Sequence, residues 1–366
     1  MIKRRKTRQI KIGNVKVGGD APISIQSMTK VQTSDIKAVV SQIKRLENCG
    51  CEIIRVAIKN FEDAEAVKYI KKKIKIPLVC DIHFDYRLAL QAIEMGADKI
   101  RLNPGNIKKK EEITAIIKSA KRRRIPIRIG VNSGSISRSQ KSEVRSQKNL
   151  SSVLCSLSSE LVNSTMNYIK IFEWIRFHDI IISIKTSDVQ STVEAYRKIA
   201  KLCDYPLHLG VTASGTYDQG IVKSSIGIGA ILLDGIGDTI RVSLAADPVE
   251  EVVAAKRILS SLGIRNFGPN IIACPTCGRC QVDLVKIVKE LRSELSAIRY
   301  PLSAKRPLTI AIMGCEVNGP GEAMGADLGV AFGKNSGMIF KNGKILKKVS
   351  TKNAVKELLK EIKSLE

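Results

Sequence analysis

Residues 77–102 have the sequence PLVCDIHFDYRLALQAIEMGADKIRL and contain the unit that the fold repeats. The short apolar run Pro77–Ile82 predicts a buried strand, whereas the amphipathic stretch Asp85–Met95 predicts a helix. A second apolar run, Asp98–Leu102, predicts the next strand. Alternation of strand and helix is typical of a parallel sheet with right-handed crossovers. This segment therefore predicts an α/β fold.

The same alternation occurs eight times before residue 265. The predicted strands are Ile23–Met28, Glu52–Ala57, Pro77–Ile82, Asp98–Leu102, Pro126–Val131, Ile180–Lys185, Pro206–Val211 and Asp238–Leu244. The helices predicted between them include Asp35–Asn48, Phe61–Lys73, Asp85–Met95, Lys109–Arg124 and Asp188–Leu202. Eight units in about 250 residues are the size of a (β/α)8 TIM barrel. An open doubly wound sheet is the alternative, but it rarely needs eight regular units.

Two regions depart from this alternation. Ser133–Ser164 is rich in Ser, Lys and Gln, and we expect a long, mobile loop that leads into the helix of the sixth unit. After Gly263 the pattern indicates a small α+β domain. Its predicted elements are the strands Asn270–Ala273, Leu308–Met313 and Leu328–Phe332, a hairpin over Ile339–Val349 that turns at Asn342-Gly343, and the helices Val282–Ile298 and Lys352–Leu365. We therefore expect a barrel domain over 1–265 and a second domain over 266–366.

The composition is that of an ordinary globular protein, with 44% hydrophobic and 26% charged residues. No apolar stretch follows the basic N-terminus, so we expect no secretory signal. The longest apolar region, Ile226–Ala246, is interrupted by Asp234, Asp238 and Arg241 and is too charged to cross a bilayer. These features predict a cytoplasmic protein without a membrane segment.

The formal net charge of +26 suits a polyanionic partner. Nucleic acid is a poor candidate because the basic runs have no interleaved aromatic residues, which make up only 4% of the chain. The usual DNA- and RNA-binding motifs are absent from the sequence. The charge remains compatible with a phosphorylated small molecule and with an acidic electron-carrier protein.

Polar and charged residues mark the carboxyl ends of the predicted barrel strands, where TIM-barrel enzymes place their active sites. They are Arg55, Asp81, His83, Arg101, Asn103, Arg128, Asn132, Lys185, His208, Arg241 and Ser243. Five of them are cations in otherwise apolar strands, which is costly unless an anion balances them. Arg offers paired hydrogen bonds that match phosphate oxygens. We therefore predict a phosphate-binding barrel mouth.

Three residues of this set favour proton or metal chemistry. Asp81 and His83 share one face of a strand end because side chains alternate along a strand. A zinc site is the weaker interpretation because the chain has only three His. For His83 and His208 we favour hydrogen bonding to substrate hydroxyls or proton relay, with a purely structural role as the alternative.

Cysteines mark a second candidate site, in residues 266–366. Cys274 and Cys277 form a C-x-x-C motif, and Cys280 and Cys315 follow. Two ways of binding an iron–sulfur cluster stay open: all four cysteines bind it, or Cys274, Cys277 and Cys315 bind it together with Glu322. A zinc ribbon needs a second ligand pair that the sequence does not offer. The remaining cysteines lie in apolar or helical patterns and are expected to be buried: Cys49, Cys51, Cys80, Cys155 and Cys203.

Several motifs together resemble those of the bacterial 4-hydroxy-3-methylbut-2-enyl diphosphate synthase family, which belongs to the methylerythritol phosphate route to isoprenoids. The most specific segments are Val79–Asp85, Arg101–Asn106, Ile226–Gly229, Asp234–Thr239 and Cys315–Glu322. The resemblance begins at Gly13 and covers most of the chain. It does not extend to Ser133–Ile175 or to the last hairpin and helix.

The resemblance implies reductive ring opening and dehydration of 2-C-methyl-D-erythritol 2,4-cyclodiphosphate to the allylic diphosphate. It implies a 4Fe–4S cluster on Cys274, Cys277, Cys315 and Glu322, with electrons arriving one at a time from flavodoxin or ferredoxin. It also implies a homodimer in which the cluster domain of one subunit caps the barrel of the other. The strand-end cations then bind the cyclic diphosphate.

Within that scheme Glu322, His83 and Asp81 are the candidate catalytic residues, and the remaining strand-end residues are expected to bind substrate. Two positions depart from the family pattern: Ala213 replaces a usual Glu, and Cys280 stands where Cys is unusual. The alternative is another iron–sulfur reductase or dehydratase that acts on a phosphorylated small molecule. Radical S-adenosylmethionine chemistry is disfavoured because a C-x3-C-x2-C motif is absent. A basic RNA-binding protein with a structural metal is the third class.

Overall fold

The computed structural model describes residues 2–107, 109–132, 150–212, 215–297 and 308–364. The chain divides into two compact units, residues 1–262 and 263–366. This division lies three residues before the end of the predicted barrel domain at 265.

The described residues of the first unit contain ten strands. They are β1 (Ile10–Ile12), β2 (Val15–Val17), β3 (Ser24–Met28), β4 (Ile53–Ile58), β5 (Leu78–Ile82), β6 (Lys99–Leu102), β7 (Ile127–Asn132), β8 (Ile180–Lys185), β9 (His208–Leu209) and β10 (Thr239–Ile240). Strands β3 to β10 form one parallel sheet in the order β8-β7-β6-β5-β4-β3-β10-β9. A parallel bridge between Ile182 and Leu207 joins its two edges. The sheet therefore closes into a barrel, which confirms the predicted fold.

Helices cover the outside of this barrel. They are α1 (Ile36–Asn48), α2 (Phe61–Lys71), α3 (Tyr86–Glu94), α4 (Lys110–Arg123), α5 (Leu150–Trp174), α6 (Val189–Leu202), α7 (Tyr217–Leu233) and α8 (Pro248–Ser261). Several begin where an Asp or Asn side chain accepts a backbone N–H of the first turn, as Asp35 does from Ala38 and Asp188 does from Ser191. In the described part of the chain, no helix combines the length and apolarity needed to cross a membrane.

The hairpin β1–β2 covers the amino-terminal end of the barrel. Its residues Ile10, Ile12 and Val17 pack against Ile53 and Ile181 near the starts of β4 and β8. The sequence patterns did not predict this hairpin. Because its apolar side chains fill the amino-terminal end of the barrel, a functional site is expected at the carboxyl ends of the strands.

Two expectations for the barrel need correction. The strands predicted over Pro206–Val211 and Asp238–Leu244 are only two residues long as β9 and β10, because the backbone beyond them bonds elsewhere: the Leu244 N–H donates to the Glu251 carboxylate. The loop predicted over Ser133–Ser164 is wrong from residue 150 onward, where α5 begins. Its serines are interspersed with Leu and Val at helical spacing. Residues 133–149 lie outside the described part.

The second unit contains a five-stranded sheet with helices on both faces. Its elements are β11 (Asn270–Ala273), α9 (Leu284–Ala297), β12 (Thr309–Met313), α10 (Gly319–Met324), β13 (Leu328–Phe332), β14 (Ser336–Lys341), β15 (Lys344–Ser350) and α11 (Ala354–Lys363). The first three strands are parallel and the last two are antiparallel. The hairpin turns at Asn342-Gly343, as predicted, with φ values of 51° and 78°.

Two apolar clusters hold these layers together. Leu291 of α9 and Leu358 of α11 pack on one face of the sheet with Ile310. Ala323 of α10 packs on the other face with Ala311. The loops that carry the cysteines follow the carboxyl ends of β11 and β12, which are neighbouring parallel strands.

Candidate active site

The parallel register brings charged residues from distant parts of the chain to one level of the barrel. Asp81 on β5 is paired with Arg101 on β6, and Arg101 is paired with Arg128 on β7. Asn132 is paired in the same way with Lys185 on the next strand. Residues that are predicted separately at strand ends thus become neighbours.

Asp81 holds two of the arginines. Its carboxylate lies 3.0 Å from Arg101 Nη1 and 3.6 Å from Arg55 Nε. Burial alone raises the pKa of Asp81, but Arg55, Arg101 and Arg128 outweigh burial and lower that pKa to about 2. A carboxylate with this pKa carries no proton at neutral pH. These contacts are those of a group that positions cations, and the predicted catalytic role of Asp81 stays a prediction.

The burial of Arg128 is energetically costly. Only 1% of its surface is exposed, and its Nε and Nη1 have no hydrogen-bond partner among the described residues. Burial, reinforced by Arg101, lowers its pKa to about 9. Buried donors without partners cost free energy. A bound anion is the natural partner for these nitrogens.

Arg241 reaches the mouth from the turn after β10, where Glu251 of α8 faces it. Glu251 is 1% exposed, and its Oε2 lies 3.7 Å from Arg241 Nε. The same carboxylate lies 3.0 Å from Lys30 Nζ and accepts hydrogen bonds from Ser27 Oγ and the Leu244 N–H. Glu251 therefore connects β3, the loops that follow β3 and β10, and α8.

Lys185 and His208 contact each other at the ends of β8 and β9. Lys185 Nζ lies 3.2 Å from His208 Nε2, and both side chains are buried. Burial and neighbouring cations, Arg128 among them, lower the pKa of each group well below its ordinary value. Both side chains therefore lie near other positive charges and are shielded from water.

The mouth carries more positive than negative charge. Its five predicted basic residues are all present, and four of them are arginines: Arg55, Arg101, Arg128, Lys185 and Arg241. The carboxylates that contact them are those of Asp81 and Glu251. Excess cations in a buried site favour an anionic ligand, and guanidinium groups suit phosphate oxygens.

The other predicted residues of the mouth lie around this cluster. Asn103 is buried, and its Oδ1 accepts the Gly105 N–H at 3.1 Å, so its carbonyl shapes the loop after β6. His83, Asn132 and Ser243 are half-buried at strand ends. Ala213, where the family pattern has Glu, lies outside the described residues.

The cysteines of the second unit meet around Gly314. Cys274 directly follows β11 and Gly314 directly follows the neighbouring strand β12, and the Gly314 N–H donates to Cys274 Sγ at 3.4 Å. A Cβ on Gly314 would overlap Cys280 Sγ, so a larger residue there would require the Cys280 side chain or its turn to move. Cys277 is exposed in the turn that joins Cys274 and Cys280.

Cys315 lies at the start of the loop that leads into α10. Backbone N–H groups of Asn318 and Val317 approach its sulfur and lower its pKa, which favours the thiolate. Amide hydrogen bonds to sulfur are typical of cysteines that bind iron–sulfur clusters.

The donor types fit an iron–sulfur cluster. Cys274, Cys277 and Cys315 follow neighbouring strands of one sheet, and backbone amides point at the sulfurs of Cys274 and Cys315. Glu322 is exposed on α10. Within the described ranges, no three His, Cys, Asp or Glu side chains are gathered closely enough to hold a metal ion. The ligand set therefore rests on donor chemistry and topology.

The remaining cysteines are protected thiols. Burial raises the pKa of Cys51 to about 12 and also raises the pKa of Cys80, Cys49 and Cys203. Cys51 and Cys80 are fully buried, and Cys49 and Cys203 are half-buried. The side chain of Cys155 lies outside the described residues.

Comparison with known families identifies both units. A family model described as the GcpE TIM-barrel domain matches residues 7–256, and one described as the GcpE protein C-terminal domain matches residues 270–364. The chain belongs to the GcpE family. The family resemblance inferred from the sequence motifs is thereby confirmed.

Full-length GcpE relatives carry the name 4-hydroxy-3-methylbut-2-en-1-yl diphosphate synthase (flavodoxin). The protein of Caldanaerobacter subterraneus subsp. tengcongensis is 51% identical, covering 100% of this chain and 99% of that protein. The Halalkalibacterium halodurans protein is 50% identical, covering 98% and 94%. The Fusobacterium nucleatum subsp. nucleatum protein is 51% identical, covering 98% and 97%.

A solved structure resembles the barrel of this GcpE chain. Dihydropteroate synthase from Stenotrophomonas maltophilia has a TM-score of 0.50 at 12% identity, covering 71% of this chain and 100% of that one. At this identity the likeness shows the fold alone.

Sequence reasoning missed three residues of the GcpE mouth. Lys99 is fully buried and its Nζ donates to Gln26 Oε1 at 3.4 Å. It lies two residues before Arg101, so the alternation of a strand was a signal for it. Glu251 and Gly210 had no such signal. Whether an acid on an amphipathic helix turns inward, or whether a glycine makes room for a side chain, depends on neighbours that are distant in the sequence.

Proposed function

We propose that this chain catalyses the reductive ring opening and dehydration of 2-C-methyl-D-erythritol 2,4-cyclodiphosphate to 4-hydroxy-3-methylbut-2-enyl diphosphate. The observation that carries the proposal is the excess of buried cations over carboxylates at the barrel mouth. The two phosphates of the substrate supply the missing negative charge. The names of the full-length relatives support this reaction.

The strand-end cations bind the phosphates in this proposal. Asp81 and Glu251 hold arginines in place before substrate arrives. A site that is already oriented toward the charge of its ligand does not need to reorganise during the reaction. Asn103, Asn132, His208 and Ser243 are the uncharged groups that we assign to the rest of the substrate, and His83 remains a candidate for proton transfer.

Cys274, Cys277, Cys315 and Glu322 would hold a 4Fe–4S cluster. Such a cluster supplies electrons one at a time, and a carboxylate at one iron leaves that iron open to exchange with an oxygen ligand. The Cys280 thiol donates to the Val282 carbonyl at 3.3 Å and packs against the apolar core. These contacts support a ligand set without Cys280.

The proposal extends to partners and location. The relatives' names support flavodoxin as the electron donor, and ferredoxin is the alternative that the resemblance implies. We also propose a homodimer in which the cluster domain of one subunit caps the barrel of the other. The reaction needs a small phosphorylated molecule and a reduced carrier protein, so we place it in the cytoplasm, without nucleic acid or membrane as a partner.

An anaerobic assay with the cyclic diphosphate and a chemical reductant tests the function. We expect the allylic diphosphate and water as products when the purified protein carries about four irons per chain. Protein loaded with zinc serves as the control and should be inactive. Fully loaded protein that binds a cluster but forms no product rejects the proposal.

Substitution of single cysteines tests the ligand set. We expect Cys274→Ser, Cys277→Ser and Cys315→Ser to lose the cluster spectrum, because each removes a thiolate. Cys280→Ser is the matched control and should keep it. Loss of the spectrum in Cys280→Ser, together with an unchanged spectrum in Glu322→Ala, would contradict the assignment.

A further inference from the structure

Lys185 and His208 form a pair of bases at the barrel mouth. Their nitrogens Nζ and Nε2 lie 3.2 Å apart, and only 5% of Lys185 and none of His208 is exposed. A hydrogen bond between two nitrogens needs one donor and one acceptor, so this contact suits a pair that shares its protons. His208 Nδ1 has no hydrogen-bond partner among the described residues.

The fold fixes this contact from two sides. The Tyr196 hydroxyl donates to the carbonyl of His208 and accepts the N–H of Ile184, which precedes Lys185. This hydroxyl therefore connects β8 and β9 next to the pair. On the other side a Cβ at Gly210 would lie 2.6 Å from Lys185 Nζ and 2.6 Å from the carbonyl oxygen of Arg241. The absence of a side chain at residue 210 is what makes room for the amine.

The charged groups that act most strongly on the pair are cations, two of which, Arg55 and Arg101, are themselves paired with Asp81. Lys185 is influenced by Arg55, Arg101, Arg128 and Arg241, and His208 is influenced by Lys185, Arg128, Lys99 and Arg55. These groups come from β4, β6, β7, β8 and the turn after β10. Burial and this repulsion lower the pKa of both members of the pair. A bound dianion reverses the local potential and favours an additional proton.

The proposed reaction consumes a proton. The cyclic diphosphate dianion, two electrons and one proton give the allylic diphosphate trianion and water. The electrons come from the flavodoxin-class carrier, and the proton joins the hydroxyl group that leaves as its C–O bond breaks. A proton held inside the mouth serves this step without access to bulk water.

We propose that the Lys185–His208 pair takes up a proton when the cyclic diphosphate binds and gives it to the departing hydroxyl group. In that transfer an N–H bond of the pair breaks and an O–H bond of water forms. That transfer returns the pair to the protonation state that it has in the free protein. The inference rests on the proposed function and adds a proton source to it.

Calorimetry of substrate binding without a reductant tests the uptake. Each phosphate of the cyclic diphosphate carries an ester and an anhydride bond, so neither titrates near neutral pH. Proton uptake measured in buffers of different ionisation enthalpy therefore belongs to the protein. We expect about one proton per bound substrate near pH 8 in the intact, cluster-loaded protein.

Three variants test whether the proton uptake belongs to the Lys185–His208 pair. Lys185→Met should abolish the uptake, and Gly210→Ala should reduce it although both bases are retained, because the new methyl group displaces the amine. Ser243→Ala is the matched control: it removes an uncharged group that we assign to substrate binding, and it should keep the uptake per bound substrate because it changes no charge beside the pair. Melting curves establish that each variant is folded.

The possible results test the proton uptake and the proposed function separately. Binding without proton uptake in the intact protein, or equal uptake in Lys185→Met, overturns the inference while leaving the proposed function in place. No binding, together with no turnover after a reductant is added, overturns the proposed function and the inference with it. Uptake that depends on Lys185 and Gly210 but not on Ser243 supports the inference.

Discussion

At the scale of the residue, buried charge at the barrel mouth favours binding at the expense of stability. Arg128 is buried with two nitrogens that lack partners among the described residues. Asp81 balances only part of the positive charge, through Arg55 and Arg101. Such a site is oriented for an anion before it arrives, and the protein bears the electrostatic cost in the free state.

Replacing Arg128 by Met should therefore stabilise the free protein and impair the enzyme. We expect the free energy of unfolding to rise by about 1 to 3 kcal/mol, because an apolar side chain of similar size removes a buried charge. Affinity for the cyclic diphosphate should fall by about 100-fold, equivalent to about 2.7 kcal/mol. Denaturant unfolding and calorimetry measure the two effects. Arg122→Met on the exposed face of α4 is the control and should change neither by more than about 0.5 kcal/mol; a destabilised Arg128→Met would contradict the argument.

Asp81→Asn should have the opposite effect on stability. Removing one partner of a buried ion pair leaves Arg55 and Arg101 uncompensated, and we expect a loss of about 3 kcal/mol. The pKa of Asp81 is lowered to about 2 from its ordinary 3.8, so its stabilisation is present above pH 3.8 and is lost as the pH falls through 2. Thermal unfolding measured from pH 3.8 down to pH 2 should show that the difference in stability between the wild type and Asp81→Asn disappears. An advantage that persists at pH 2 would refute the ion-pair explanation.

At the scale of the element, two short segments position the two sites. The hairpin β1–β2 fills the amino-terminal end of the barrel with Ile10, Ile12 and Val17. In the second unit, the carboxyl ends of β11 and β12 place Cys274 next to Gly314. Both are contacts between segments that are far apart in the sequence.

Ile12→Ala should destabilise the first unit by about 3 kcal/mol, because it leaves a cavity under the barrel. Lys11 lies on the exposed side of the same strand, and Lys11→Ala is the matched control with no expected change. Chemical unfolding of the two variants measures the difference. Equal stabilities would show that the hairpin is not part of the core.

Gly314→Ala should reduce the amount of cluster that the protein retains. The added Cβ overlaps Cys280 Sγ and displaces the turn that carries Cys274 and Cys277. The double variant Gly314→Ala/Cys280→Ala frees the space for the methyl group and should restore the loading. Iron content and visible absorption after anaerobic reconstitution give the result. Normal loading of Gly314→Ala alone would contradict this account.

At the scale of the whole molecule, the net charge of +26 is far larger than the mouth requires. Charges spread over the surface attract an acidic carrier from a distance and accelerate its encounter. The same charges are screened by salt over about 8 Å at physiological ionic strength. The overall charge therefore bears on the rate of electron delivery more than on the fold.

Reduction by an acidic flavodoxin should slow by about tenfold or more between about 0.05 M and 0.5 M salt. Stopped-flow absorption of the cluster measures the second-order rate constant. A zwitterionic viologen, which has no net charge, is the control and should show little salt dependence. A flavodoxin rate that does not change with salt would argue against steering by the surface charge.

The amino-acid sequence by itself determined the repeated strand–helix unit, the strand ends that carry cations and the cysteine motif of the second unit. Each of these is local: periodicity locates a strand, and a Cys or Arg at its end is visible in one short segment. The barrel was predicted on that basis and the family from the resemblance of its motifs to a known family, and both are confirmed. The serine-rich start of α5 was misjudged because composition was given more weight than spacing.

Only the tertiary structure decided which of these residues act on one another. The pairing of Asp81 with Arg101 follows from strand register, and the inward turn of Glu251 follows from the packing of α8. The space at Gly210 that admits Lys185 exists only once β8 and β9 are neighbours. Contacts across a closed sheet depend on backbone geometry summed over many residues, and no single segment of the chain contains that information.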